Sequence, residues 1–143
     1  MSKRQIRAAF ESRLSAWSAG RDTTLRIAWE NAPFTPVTGE TYLRAFLLPA
    51  PTNSIDIAGK HRGFVGIFQV SIIGVSGRGS KATEEIAEEL DKLFPLRLCI
   101  PARPRPVCVA TPMSQGPGLP DGGTFTLPVW WRYRMDAFVS ARA

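Results

Sequence analysis

Residues 3–17 place Ile6, Phe10, Leu14 and Trp17 at spacings of four, four and three, with Lys3, Arg4, Arg7, Glu11 and Arg13 on the flanks and the far side. That period predicts an amphipathic helix with one buried face, stopped by Gly20. Over 24–30 the pattern changes to alternation, Leu25, Ile27 and Trp29 against Arg26, Ala28 and Glu30, which predicts a half-buried strand. Pro33 and Pro36 break it, because neither can donate to a ladder. A second strand is expected over 40–48, with Tyr42, Phe46 and Leu48 on one side and Leu43, Ala45 and Leu47 on the other. A third, from Phe64 to Val75, is rich in Val, Ile and Phe, with Gly66 and Gly74 marking a bulge or a close backbone approach.

Ser76-Gly77-Arg78-Gly79 turns the chain into a second helix over 80–94. Its apolar stripe is Ala82, Ile86, Leu90 and Leu93, with Ala87 and Phe94 beside it, and Pro95 ends it. The last strand is expected over 124–139. Phe125, Leu127, Val129, Trp131, Tyr133, Met135, Ala137 and Val139 share one face, opposite Thr124, Thr126, Pro128, Trp130, Arg132, Arg134 and Asp136. Between them, 95–123 holds seven of the twelve prolines, and only Leu96–Ile100 and Val107–Ala110 look able to pair, as a splayed hairpin.

This order predicts an α+β fold: a mostly antiparallel mixed sheet with two α-helices packed on one face. The chain reads as a single domain over 1–143, with long loops at 49–62 and 101–123. Strands 24–30 and 40–48 stand too close for a βαβ crossover, and one parallel pair can form after strand 63–75, which a helix and further strands follow.

Charge modifies the picture locally. The formal net charge is +6, from 18 Lys+Arg against 12 Asp+Glu. Helix 80–94 carries two lysines and five acids, so the remainder is distinctly basic. The basic residues are scattered and no RNP, helix-turn-helix or zinc-finger pattern accompanies them, so the excess suits assembly at least as well as nucleic-acid binding. No apolar run is long enough to span a bilayer, and Met1-Ser2-Lys3-Arg4 leads into no apolar signal segment, which points to synthesis in the cytoplasm and no membrane partner.

Catalytic chemistry is sparse. Gly74-Val-Ser-Gly77-Arg-Gly79-Ser-Lys81 resembles a phosphate loop superficially, but Ser80 and Lys81 are in the wrong order for one, and Glu84 and Glu85 occupy the helix's positive end. The segment reads as a structural turn. His61, the only histidine, reads as an exposed loop residue with no metal-ligand spacing around it. Cys99 and Cys108 read as two buried thiols, with a cross-strand disulfide as the alternative if Ile100 faces Val107. No nucleophile, base and orienting group come together, so no enzyme, metal or cofactor is expected.

The remaining candidates are interaction residues. Glu84, Glu85, Glu88 and Glu89 are a solvated helix face or, functionally, a negative patch meeting a positive one on a neighbour, either the Arg7, Arg13 and Arg26 side or Arg132 and Arg134 together with Arg62. Trp130 must oppose Trp131 and shares the face of Arg132 and Arg134, a pairing common at protein interfaces and compatible with stacking on single-stranded nucleic acid.

Taken in order, Ile6-Arg-Ala-Ala-Phe10-Glu-Ser-Arg-Leu14-Ser-Ala-Trp17, Trp29-Glu-Asn-Ala-Pro33, Thr41-Tyr-Leu-Arg-Ala-Phe-Leu-Leu48, Gly66-Ile-Phe-Gln-Val70 and the acidic helix ending at Phe94-Pro95 resemble the tail terminator proteins of long-tailed bacteriophages and prophages. That group includes the minor tail protein U family of lambda-like phages and the tail-to-head joining proteins of siphophages. The resemblance implies an α+β structural protein of the virion, made in the bacterial cytoplasm, monomeric when free, and assembling as a ring of typically six subunits. It implies contacts with the tail tube protein and with head-completion (connector) proteins, and DNA passing through the lumen without sequence-specific binding. Another neck or head-closure component, or a small basic nucleic-acid-binding module, is the alternative.

Overall fold

The computed structural model describes residues 2–55, 57–77 and 79–138. Arg78, in the turn before the second helix, and Val139, at the end of the last strand, lie outside the described residues. The fold is α+β: two helices and eight strands in one curled, mixed, mostly antiparallel sheet.

Helix α1 runs Ser2–Ala19. Its Ile6, Phe10 and Leu14 are fully buried and Trp17 packs at the edge, as their spacing requires. The helix end is tied down by Ser18, whose Oγ donates to the Leu25 carbonyl at 2.6 Å and accepts from the Leu25 N–H at 3.1 Å. Strand β1 is only Ile27–Ala28, because Leu25 and Ala28, three apart, are the buried residues rather than a strict alternation. It pairs parallel to β2 (Tyr42–Pro49), through Ile27↔Leu43 and Ala28↔Arg44. No helix joins the two strands, as their closeness requires, and the parallel pair falls here rather than after strand 63–75. The connection over 29–41, roughly a dozen residues with two prolines, is long enough to carry the chain back to the same end of the sheet without a helix.

Strands β3 (His61–Val75) and β8 (Thr124–Phe138) form the backbone of the sheet, paired antiparallel from His61↔Phe138 to Val75↔Thr124. β2 lies on the other side of β3. The outer edge of β8 is lined successively by β7 (Leu119–Asp121), β6 (Ser114–Gln115) and β5 (Val107–Val109), with β4 (Cys99–Ile100) beyond β5. β6 and β7 fall where a long loop was expected. They carry no apolar alternation, and their backbone groups are drawn into the ladder by the long edge of β8.

Helix α2 runs Lys81–Leu93. Ile86, Ala87 and Leu90 are buried as expected, but Ala82 is exposed and Thr83 takes its place inside, with its Oγ1 on the Ser80 carbonyl. Gly77 and Gly79 adopt φ of 86° and 73° in the preceding turn, a region open to glycine at little cost. Both helices lie over the face of the sheet that carries Leu43, Ala45, Leu47, Phe68, Val70, Ile72, Leu127, Val129, Trp131 and Tyr133. At the centre, Phe10 stacks on Phe68 at 4.6 Å and Phe94 meets Trp131 at 4.8 Å, so one aromatic cluster joins both helices to both long strands.

Candidate interaction surfaces

Alternation along β2, β3 and β8 sends half their side chains to the face without helices. There Arg44, Phe46, Leu48, Val65, Ile67, Gln69, Trp130, Arg132 and Arg134 stand partly or fully exposed. Trp130 is half-buried, with Gly116 of the segment after β6 close against its ring; a Cβ on that glycine would stand 3.2 Å away. Arg132 is exposed, and Arg134 donates to both oxygens of Asp136, at 3.1 and 2.8 Å. Arg62 sits at the start of β3, where its guanidinium donates to the Gly59 and His61 carbonyls. The structure therefore brings Trp130, Arg132 and Arg134 onto one face, whereas Arg62, next to His61 and paired with Ala137, alternates to the other.

The acidic residues lie on the opposite side of the sheet. Glu84, Glu85 and Glu88 on α2 are exposed, as is Asp91. Glu89 differs from them: it is half-buried and takes a bidentate pair from Arg21, Nε at 3.0 Å and Nη2 at 2.8 Å. Arg21 holds the Glu89 carboxyl below the usual carboxylate range. Glu89 thus joins α2 to the chain just after α1, and the negative surface consists of the other three glutamates with Asp91.

His61 corrects the expectation of an exposed loop residue. It is 2% exposed, at the first position of β3 on the helix-free face, covered by the β2–β3 loop. Its Nδ1 accepts from the Ile55 N–H at 3.1 Å, so its Nε2 donates to Asp136 at 2.6 Å. With both nitrogens committed, the ring is a clamp between that loop and β8.

The cysteines also differ from the expectation of buried thiols. Ile100 faces Val107 and Cys99 faces Cys108 across β4 and β5, and the two sulfurs form a disulfide on the helix-free side, with Cys99 exposed and Cys108 half-buried. The apolar neighbours determine this. Val107 and Val109 turn to the core, which leaves Cys108 facing outward beside Cys99.

Alongside α1, on the helix side, runs an open groove of about 870 Å³ with Ala8, Ala9, Ala16, Leu93, Ile100 and Ala102 among its walls and Gln5, Arg13 and Arg103 at its polar edge. Among the described residues no cluster of His, Cys, Asp or Glu could hold a metal ion, and no helix is long and apolar enough to cross a membrane.

Acid sensitivity follows from three carboxylates. Glu30 is held below its usual range: burial opposes ionisation, but the Leu47 N–H at 2.5 Å and Arg7 at 2.8 Å outweigh it. Arg134 does the same for Asp136, with help from His61, and Arg21 for Glu89. A carboxyl whose folded pKa is depressed stabilises the fold above its unfolded pKa of about 4 and loses that contribution as pH falls through the folded value. Glu11, raised by burial, has the opposite sign. The melting temperature should therefore fall between pH 6 and pH 3. Glu30→Gln should have a shallower fall, since the amide oxygen still accepts from Leu47 but no longer titrates. An unchanged acid slope in that variant would remove Glu30 from the account.

A search of curated proteins found none that matches the chain. A solved structure known only by a sequence identifier is 43% identical, superposes with a TM-score of 0.80, and aligns over 94% of this chain and 95% of its own. The family model described as "phage tail terminator protein" matches residues 5–133, spanning both helices and reaching into the final strand, and the chain belongs to that family.

Proposed function

We propose that this chain caps the head-proximal end of the tail tube as a ring of six subunits, ends tube polymerisation, and presents the surface to which the head is joined. The family match over residues 5–133 carries this reading, and it makes the chain a structural component of a phage tail rather than an enzyme. The tube protein is one neighbour and the head-completion proteins are the other. The ring assembles in the bacterial cytoplasm from free monomers, and the genome passes through its lumen without sequence-specific contacts.

Charge placement supports the ring. A closed ring requires two different patches on each subunit, meeting head to tail. Glu84, Glu85 and Glu88 are exposed on the helix side, whereas Trp130, Arg132 and Arg134 lie on the other side of the sheet, and Arg62 is not among them. Opposite charge on opposite sides sets register between identical subunits.

Electron microscopy of phage made without this chain should show headless tails of uncontrolled length. Complementation with Glu85→Lys/Glu88→Lys should leave the same defect while the purified variant melts within about 1–2 °C of the parent, as exposed helix positions do. Normal-length tails without the chain would reject termination, and normal tails with the double variant would reject charge pairing. Salt-dependent binding of DNA by the monomer, with a slope of several phosphates, would instead favour a nucleic-acid module.

A further inference from the structure

Strand β4 is lightly held. Among the described residues it pairs only with β5, through Cys99↔Cys108 and Ile100↔Val107, and forms the end of the sheet. Beside it the Val109 N–H donates to the Leu98 carbonyl at 2.8 Å and the Arg97 N–H to the Val109 carbonyl at 2.9 Å. Ile100 and Val107 are buried underneath. These contacts shape the hairpin without help from sulfur. The Cys99–Cys108 bond is a covalent staple laid over them, closing the loop Pro101-Ala-Arg-Pro-Arg-Pro106 across a separation of nine residues.

The staple is open to chemistry from solution. Cys99 is exposed, so its sulfur can meet a small thiol or disulfide, while Cys108 stands half-buried directly across the ladder. On its other side Cys108 pairs with Arg134, and both line a small surface pocket with Arg105, Pro106 and Asp136. Asp136 is taken up by Arg134 and His61, and the Arg105 guanidinium lies 5.1 Å from the centre of the Phe138 ring. A thiolate at Cys108 therefore meets two guanidiniums against one carboxylate, a setting that favours a departing sulfur.

We infer that Cys99 and Cys108 are a thiol–disulfide exchange site, a dithiol while the subunit is in the cytoplasm and a disulfide once lysis brings it to a small-molecule disulfide. The inference rests on the cytoplasmic assembly proposed above. A reducing compartment keeps such pairs open, and exposed disulfides are the labile ones. On closure the Cys99 thiol gives up its proton, and its sulfur attacks one sulfur of the small disulfide RSSR, breaking that S–S bond and releasing RS⁻. The Cys108 thiolate then attacks the Cys99 sulfur of the mixed disulfide and displaces the second RS⁻. Two electrons pass from the cysteines to RSSR, and their two protons leave in two RSH. Excess RSH runs the same steps backward, entering at Cys99 and releasing Cys108. The switch acts on the sheet edge. Reduced, residues 97–109 are held by two hydrogen bonds and one buried apolar pair; oxidised, β4 and β5 cannot part. Ile100, Pro101, Ala102 and Arg103 also wall the groove beside α1, so closure fixes one side of that groove.

The full chain, made in bacterial cytoplasm, quenched in acid before lysis, then denatured and treated with a maleimide-bearing polyethylene glycol, should carry an adduct on each of its two cysteines. Purified and incubated with glutathione disulfide, it should carry none, and excess reduced glutathione should restore both. Reduction should lower the melting temperature by roughly 5–10 °C. It should also speed amide exchange at Arg97 and Val109 at least about tenfold, while the β3 amides stay slow. Cys99→Ser/Cys108→Ser should melt with the reduced parent in either buffer. A chain without adducts in the quenched cells, or one that glutathione alters in neither direction, overturns the exchange site. Equal exchange at Arg97 and Val109 in the two states overturns its action on the edge. The tail reading fails separately, by normal tails in phage lacking the chain, and that result leaves the adduct counts to be judged by themselves.

Discussion

Trp131→Ala should cost about 3–5 kcal/mol and lower the melting temperature by roughly 10–20 °C, the largest loss expected from any single side chain. Trp131 is fully buried near the middle of β8, 6.2 Å from Phe68 on β3 and 4.8 Å from Phe94 just after α2. Phe94 and Phe68 also meet Phe10 of α1, at 5.6 and 4.6 Å. Removing the indole opens a cavity where four elements converge, and rigid strands on both sides of β8 limit collapse into it. Trp131→Phe should cost much less. It keeps a ring against Phe68 and Phe94, and it discards an indole N–H that is buried without an acceptor, a group that is itself expensive to leave unpaired. Thermal unfolding of the two variants side by side checks this. If alanine lowered the melting temperature by only a few degrees, the aromatic cluster would not be what holds the helix layer to the sheet.

The parts of the fold legible in the sequence were those with long periods. Ile6, Phe10 and Leu14 on α1, and Leu127 through Ala137 on β8, each repeat one spacing often enough that a single packing satisfies it, and all are buried. What escaped depends on pairing. Ser114–Gln115 and Leu119–Asp121 become strands because the far edge of β8 has backbone groups to satisfy, not because their side chains alternate. The parallel pairing of β1 depends on how the proline-containing connection travels, which no local pattern encodes. His61 looked like a loop residue because Lys60, Arg62 and Gly59 surround it, and its burial comes from Ile55 and Asp136, which are distant in sequence or lie in a connection without period. The disulfide was readable only as an alternative conditional on Ile100 facing Val107, and which way Cys108 turns depends on the burial of Val107 and Val109. The interaction residues were legible as charges and not as partners. Glu84, Glu85 and Glu88 remain free for a neighbour, whereas Glu89 is engaged by Arg21, seen only once the two are side by side. The groove beside α1 had no signature, since alanines on a helix are common in either setting.

Gly66→Ala should destabilise the protein by about 2–3 kcal/mol, unusual for the gain of one methyl group. Gly66 faces Tyr133 directly across the β3–β8 ladder and Pro49 across β2–β3. A Cβ there would stand 2.5 Å from the Tyr133 hydroxyl and 2.6 Å from the Leu48 carbonyl oxygen. The hydroxyl belongs to a buried side chain with little room to swing away, and the carbonyl is backbone, so β2 must part from β3 to admit the methyl. Tyr133→Phe removes the hydroxyl but keeps the ring carbon that bore it, 2.8 Å from such a Cβ. If the hydroxyl contact matters, Gly66→Ala should cost less in the Tyr133→Phe background than in the parent, with a coupling of roughly 0.5–1.5 kcal/mol, but should not become neutral, because the ring carbon and the Leu48 oxygen remain. Denaturant melts of the four proteins measure the coupling. Additive losses would mean that the hydroxyl contact plays no part in the need for glycine.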